Sequence, residues 1–102
     1  MITTVDGLRH GQLVRSTAGR DCSQYYLIFR MVGDHFLEVV NGFNHPVVKP
    51  KRKNLKHVKV IMLVDREIET LILNGEFIKD PVIITAIKRL VSEFEEGDPF
   101  NG

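Results

Sequence analysis

Between Gln12 and Val64 the apolar residues fall in short runs broken by turn dipeptides, whereas beyond Asp65 they recur at three- and four-residue spacing. A change of hydrophobic period from two to 3.6 marks a passage from strands to helices, so the pattern predicts a β region followed by a helical one, with the boundary near Val64-Asp65. Gln12 to Thr17 is the first predicted strand, and a polar loop follows at residues 18–23. Gln24 to Val32 holds Tyr25, Tyr26, Leu27, Ile28, Phe29, Met31 and Val32, aromatic and branched types suited to a buried pleated surface, and is the expected central strand. Gly33-Asp34 supplies a tight turn into Phe36 to Val40, and Asn41-Gly42, the dipeptide favoured in type I′ turns, supplies the next reversal. Val47-Val48 is expected as a short edge strand. In a fifth strand Val58, Val60 and Met62 alternate with His57, Lys59 and Ile61. Five short consecutive strands over residues 1–64 point to a small antiparallel barrel.

Asp65 is placed to cap a helix in which Ile68, Leu71 and Ile72 share a face, and Asn74-Gly75 is its stop signal. Asp80-Pro81 restarts the helical pattern, and Ile83, Ile84, Ile87, Leu90, Val91 and Phe94 form one stripe. Packing of that stripe on the barrel or the preceding helix is expected over a dedicated partner groove. The overall expectation is a mainly β fold with C-terminal helices: residues 65–96 pack on the barrel as one unit, and residues 97–102, ending in Pro-Phe-Asn-Gly, form a flexible tail. A chain of 102 residues suits one domain with one core.

Composition narrows the setting. Cys22 is the single cysteine, which rules out an internal disulfide, and neither a leader-like start nor an apolar run of membrane-spanning length is present. A cytoplasmic protein with no membrane partner is expected. The formal net charge of +1 hides a division: residues 1–59 carry ten Lys and Arg against four Asp and Glu, a balance of +6, while residues 60–102 carry four against nine, a balance of −5. Such asymmetry points to a polyanionic partner for the N-terminal part.

Six of the fourteen Lys and Arg lie in the eleven positions from Lys49 to Lys59 without an intervening carboxylate. Crowded cations repel one another and are best tolerated where phosphate neutralises them, so nucleic acid, RNA in particular, is the leading partner. Lys49, Lys51, Arg52, Lys53, Lys56, His57 and Lys59 are the candidate contacts, with Pro50 stiffening the loop that carries them and Arg15, Arg20 or Arg30 extending the patch. Tyr25, Tyr26, Phe36 and Phe43 can stack on bases or fill the interior. Core packing is favoured for Phe36 and either tyrosine, and both roles stay open for Phe43, which follows a turn. The four histidines and Cys22 lack the close pairing of a zinc site, and Cys22 reads as an inert small residue. Asp21 is expected to orient its loop by accepting backbone N–H bonds. No catalytic, phosphate-loop or dinucleotide motif occurs, so neither catalysis nor a cofactor or metal is expected.

The segment from Gly11 to Asp21, followed by the apolar strand Tyr25 to Phe29, resembles the KOW motif. Together with Asn41-Gly42 and the Lys-Pro-Lys-Arg-Lys-Asn stretch Lys49 to Asn54, it is similar to small bacterial KOW-domain proteins related to eukaryotic and archaeal large-subunit ribosomal proteins. The resemblance covers about residues 8–60. It implies an SH3-like barrel that binds RNA, with ribosomal RNA, ribosomal proteins or the translation machinery as partners, and it places Gly19 at the motif's central glycine, between the first two strands. Ser23 stands where that loop often has a second glycine. The competing expectation is a protein-interaction adaptor that uses the barrel and an apolar groove beside the C-terminal helices. Oligomeric state is left open.

Overall fold

The computed structural model describes residues 4–96; the expected terminal tail, residues 97–102, lies outside them. Five strands, β1 (Gln12–Ser16), β2 (Tyr25–Val32), β3 (Phe36–Val40), β4 (Lys51–Asn54) and β5 (Val58–Val64), form one antiparallel sheet in the order β4-β3-β2-β1-β5. Two helices follow, α1 (Arg66–Leu73) and α2 (Asp80–Glu96). The fold is therefore mainly β with C-terminal helices, as the change of period predicts. β2 is the central strand, and the chain returns through a 3-10 turn, Leu55–His57, to lay β5 against the free side of β1.

Both faces of the sheet are covered, which explains why β2 reads as a continuous apolar run rather than an alternating one. On one face Leu13, Leu27, Val40 and Ile61 pack with Ile68 of α1 and Ile83, Ala86 and Leu90 of α2. On the other, Val14, Tyr26, Ile28, Leu37, Val39 and Leu55 make a second cluster. The stripe on α2 packs into the first cluster, with Ile87, Val91 and Phe94 at its margin, and each fully buried aliphatic side chain there contributes about 1.5–3 kcal/mol.

Caps act where the sequence places them. The Asp65 carboxylate accepts the Ile68 N–H at 2.9 Å, and α1 ends with the Glu76 N–H donating to the Leu71 carbonyl at 2.9 Å and that of Gly75 to Ile72 at 3.0 Å, the paired bonds of a Schellman ending. Asp80, which the Asp80-Pro81 start signal makes the expected N-cap of α2, instead accepts the Val47 N–H with its carboxylate at 2.8 Å and thereby ties α2 to the β3–β4 connection.

Three expectations about the strands are corrected. Val47-Val48 is a turn rather than a strand, because the Val47 N–H is taken by Asp80 and the Lys49 N–H by the Pro46 carbonyl at 2.9 Å. Asn41-Gly42 does not close a two-residue hairpin; it opens a longer connection that reaches β4 only at Lys51. The alternation in β5 breaks at a bulge: Gln12 pairs with Val64 but Val14 with Val60, which turns Ile61 inward and leaves Met62 80% exposed. The buried Gln12 side chain donates to the Ile61 carbonyl at 3.1 Å and satisfies the backbone there. No helix among the described residues is long and apolar enough to cross a membrane.

Candidate nucleic-acid interface

At one end of the sheet the end of β1 and the start of β2 meet the start of β4, and a buried carboxylate holds them together. The β1–β2 loop turns at Gly19, whose φ of +87° is left-handed. A Cβ there would meet only ordinary contacts, with Asp21 Oδ1 at 3.5 Å, so it is the backbone angle that calls for glycine. Ser23, φ +79°, adopts the same region without being glycine, held by its N–H donating to the Ser16 carbonyl at 2.8 Å. The loop turns Asp21 inward. Its carboxylate accepts from Ser16 Oγ at 3.1 Å, the Tyr26 hydroxyl at 2.7 Å and Lys53 Nζ at 2.8 Å, with Lys51 Nζ at 3.3 Å. Asp21 therefore organises side chains rather than the backbone N–H groups expected of it.

This arrangement divides the basic run. Lys49 to Asn54 is expected as a loop, but Lys51–Asn54 is an edge strand paired with β3, so its side chains alternate. Lys51 and Lys53 lie opposite Val39 and Leu37 and turn toward the inner face. Lys53 is only 7% exposed, and it also donates to the Ala18 carbonyl at 3.1 Å. Lys53 is thus removed from the set of expected phosphate contacts, because its ammonium is spent on Asp21 and the loop. Arg52 points to the opposite face, its guanidinium 4.8 Å from the centre of the Phe36 ring and paired in register with Glu38, which binds Arg30. The expectation that Lys51, Arg52 and Lys53 share one surface is corrected on that ground.

The remaining expected residues are exposed or partly so. Arg20 is on the β1–β2 loop, Lys49 precedes β4, and Lys56 and His57 sit on the 3-10 turn, whose His57 carbonyl accepts the Thr17 N–H at 2.9 Å and so meets the start of that loop. Arg15 and Lys59 are cross-strand partners on β1 and β5; Arg15 lies 5.4 Å from the Tyr25 ring centre, and Lys59 lies 5.6 Å from that of Phe94 on α2. Among the described residues Lys51 forms an ion pair only with Asp21, while Arg20, Lys49 and Lys56 form none. Of the aromatic candidates, Tyr26 is fully buried, Tyr25 half-buried, Phe36 37% exposed and Phe43 84% exposed.

Electrostatics follows the geometry. Burial works against ionisation of Asp21, yet the bonds from Lys53, Tyr26, Ser16 and Lys51 outweigh it and hold the carboxyl well below its ordinary range. Burial and the Asp21 charge push the Tyr26 hydroxyl above its usual value. His45, whose ring centre is 5.8 Å from that of Tyr26, is kept below the usual imidazole value by burial and by Lys51.

Ser16, Tyr26 and His45 are the members of this end that the expected site omits, and Asp21 is one whose role differs. The only signal for the Asp21 role is its position as one of four carboxylates among residues 1–59. Elsewhere, Val64, Asp65, Pro81, Val82, Ala86 and Arg89 line a groove of about 700 Å³ between the starts of the two helices, spanned by the Arg89–Asp65 ion pair at 2.6 Å. No group of three or more metal-ligating side chains is assembled among the described residues. No protein-family model matches the chain, and no curated protein matches it.

Proposed function

We propose that this chain is a non-catalytic RNA-binding protein of KOW type, its curled sheet an SH3-like barrel, acting in the cytoplasm on ribosomal RNA or the translation machinery. The strand order, the return of β5 to β1 and the short turn between β4 and β5 support the barrel reading. The observation that carries the RNA reading is the oversubscription of Asp21. One carboxylate faces two lysines, and the elements they join carry exposed Arg20 and Lys49 and half-exposed Lys51; among the described residues neither Arg20 nor Lys49 is ion-paired to an acid. A local cationic excess on a preorganised loop suits a phosphate backbone, since little ordering entropy is lost when it binds. Lys56, Arg15 and Lys59 extend the cationic rim, and His57 adjoins Lys56 on the 3-10 turn.

Titration of a labelled ribosomal RNA hairpin at several salt concentrations tests this. About four phosphate contacts give a log-log slope of about −3. Arg20→Gln with Lys49→Gln removes two exposed cations, and the slope falls toward about −1.5 while the circular dichroism spectrum stays unchanged. Equal RNA affinity in the double variant and the wild type would sink the reading. The groove between α1 and α2 supports a second reading, a protein-interaction adaptor, which that result would favour.

A further inference from the structure

Resting on the RNA-binding reading, we infer that the ligand presents an unpaired base that stacks on Phe43 while neighbouring phosphates meet Arg20, Lys49 and Lys51. An aromatic ring 84% exposed is ordinarily a candidate to fold back onto apolar surface, but Phe43 stands at the tip of a turn built to hold it out. The Asn41 side chain accepts the Phe43 and His45 N–H groups, each at 3.0 Å, and donates to Asn44 Oδ1 at 2.7 Å, while the Asn41 N–H closes the turn on the His45 carbonyl at 3.0 Å. Beneath it Gly42, φ +75°, is pressed against the first turn of α2 so closely that a Cβ would lie 2.6 Å from the Asp80 carbonyl and 2.9 Å from Ile84.

The turn belongs to the cationic end through its base. His45 packs on Tyr26, the Tyr26 hydroxyl donates to Asp21, and Asp21 holds Lys51 and Lys53. The hub that orders the cationic loop thus also orders the aromatic one, and both face solvent with their positions set before binding. A fixed π-face beside fixed cations matches a splayed-out base with its flanking phosphates; a continuous duplex keeps its bases stacked and offers phosphate alone.

The test compares a single-stranded oligoadenylate with a blunt-ended RNA duplex of equal length. The wild type is expected to bind the single strand more tightly. Phe43→Ala weakens that binding by about 5- to 100-fold without changing the salt slope, because stacking rather than phosphate contact is lost. The chain has no tryptophan, so the Phe43→Trp variant carries one indole, which keeps the affinity and is quenched by the single strand. Wild-type affinity in Phe43→Ala, an unquenched indole, or tighter binding of the duplex overturns the stacking inference and leaves the RNA reading standing. Failure of the wild type to bind either RNA removes both. Thermal melts of the variants check that the fold is retained, as expected for so exposed a side chain.

Discussion

Lys53 Nζ lies 2.8 Å from one oxygen of Asp21, and the pair is buried on both sides. A basic residue in the middle of a Lys/Arg run thus acts as a structural tie between β4 and the β1–β2 loop. Lys51 approaches the other oxygen at 3.3 Å but keeps part of its side chain in solvent, so two lysines of one strand face serve different ends.

Removing that tie leaves a buried carboxylate short of a partner. Lys53→Met is expected to destabilise the protein by about 3 kcal/mol, softened where Lys51 moves closer, and Asp21→Asn by a similar amount. In a urea-unfolding double-mutant cycle the two losses should be strongly non-additive. Additive losses would mean that the ion pair does not hold the loop.

Stability should fall on both sides of a plateau in pH. Asp21 is held below its ordinary 3.8, so its ionised form favours folding above that value and the contribution is lost as pH falls below it. His45 lies below its ordinary 6.5; its neutral ring favours folding above 6.5, and that contribution is lost first as the solution becomes acid. Tyr26 runs the other way. It is raised above 10.0, so its protonated hydroxyl favours folding below that pH and the contribution is lost as pH rises past it. Thermal melts across pH should show this dome, with a shallower alkaline limb in Tyr26→Phe and a shallower limb just below pH 6.5 in His45→Gln.

Two glycines with similar backbone angles should respond differently to alanine. At Gly33, φ +60°, a Cβ meets nothing within 4 Å, so Gly33→Ala costs only the left-handed strain of about 1 kcal/mol. At Gly42 the same strain is joined by a clash at 2.6 Å with the Asp80 carbonyl, and the loss should reach about 3 kcal/mol. Equal losses by chemical denaturation would show that the turn does not press on α2.

The β5 bulge separates the fates of neighbours. Ile61, 4% exposed, should cost about 2–4 kcal/mol on truncation to Ala, whereas Met62→Thr should stay within about 0.5 kcal/mol. A costly Met62→Thr would place the register shift elsewhere.

The parts of the fold legible in the sequence are those set by local rules. Asp65 and Asn74-Gly75 mark the ends of α1 because capping depends on a few consecutive residues, and the α2 stripe shows its buried face by spacing alone. β4 is hidden because Lys-Arg-Lys-Asn has no strand signature; it is a strand because β3 offers a ladder and because Asp21, thirty-two positions before Lys53, receives its inward ammonium. The facing of Met62 is hidden for a similar reason, since a bulge against β1 cannot be seen in β5. For the candidate site, the charge excess is visible in composition, but which cations reach solvent is decided by the pleat and by one distant carboxylate.

Because Gly42 rests on the opening turn of α2, and Lys59 on Phe94 near the other end of that helix, the second helix braces the aromatic turn at one point and the basic residue of β5 at another. Residues 1–64 carry all of the proposed ligand contacts, yet a fragment cut at that boundary would lose the strut beneath the aromatic turn. In the proposed RNA complex the acidic third of the chain has a mechanical part, while contributing none of the attraction.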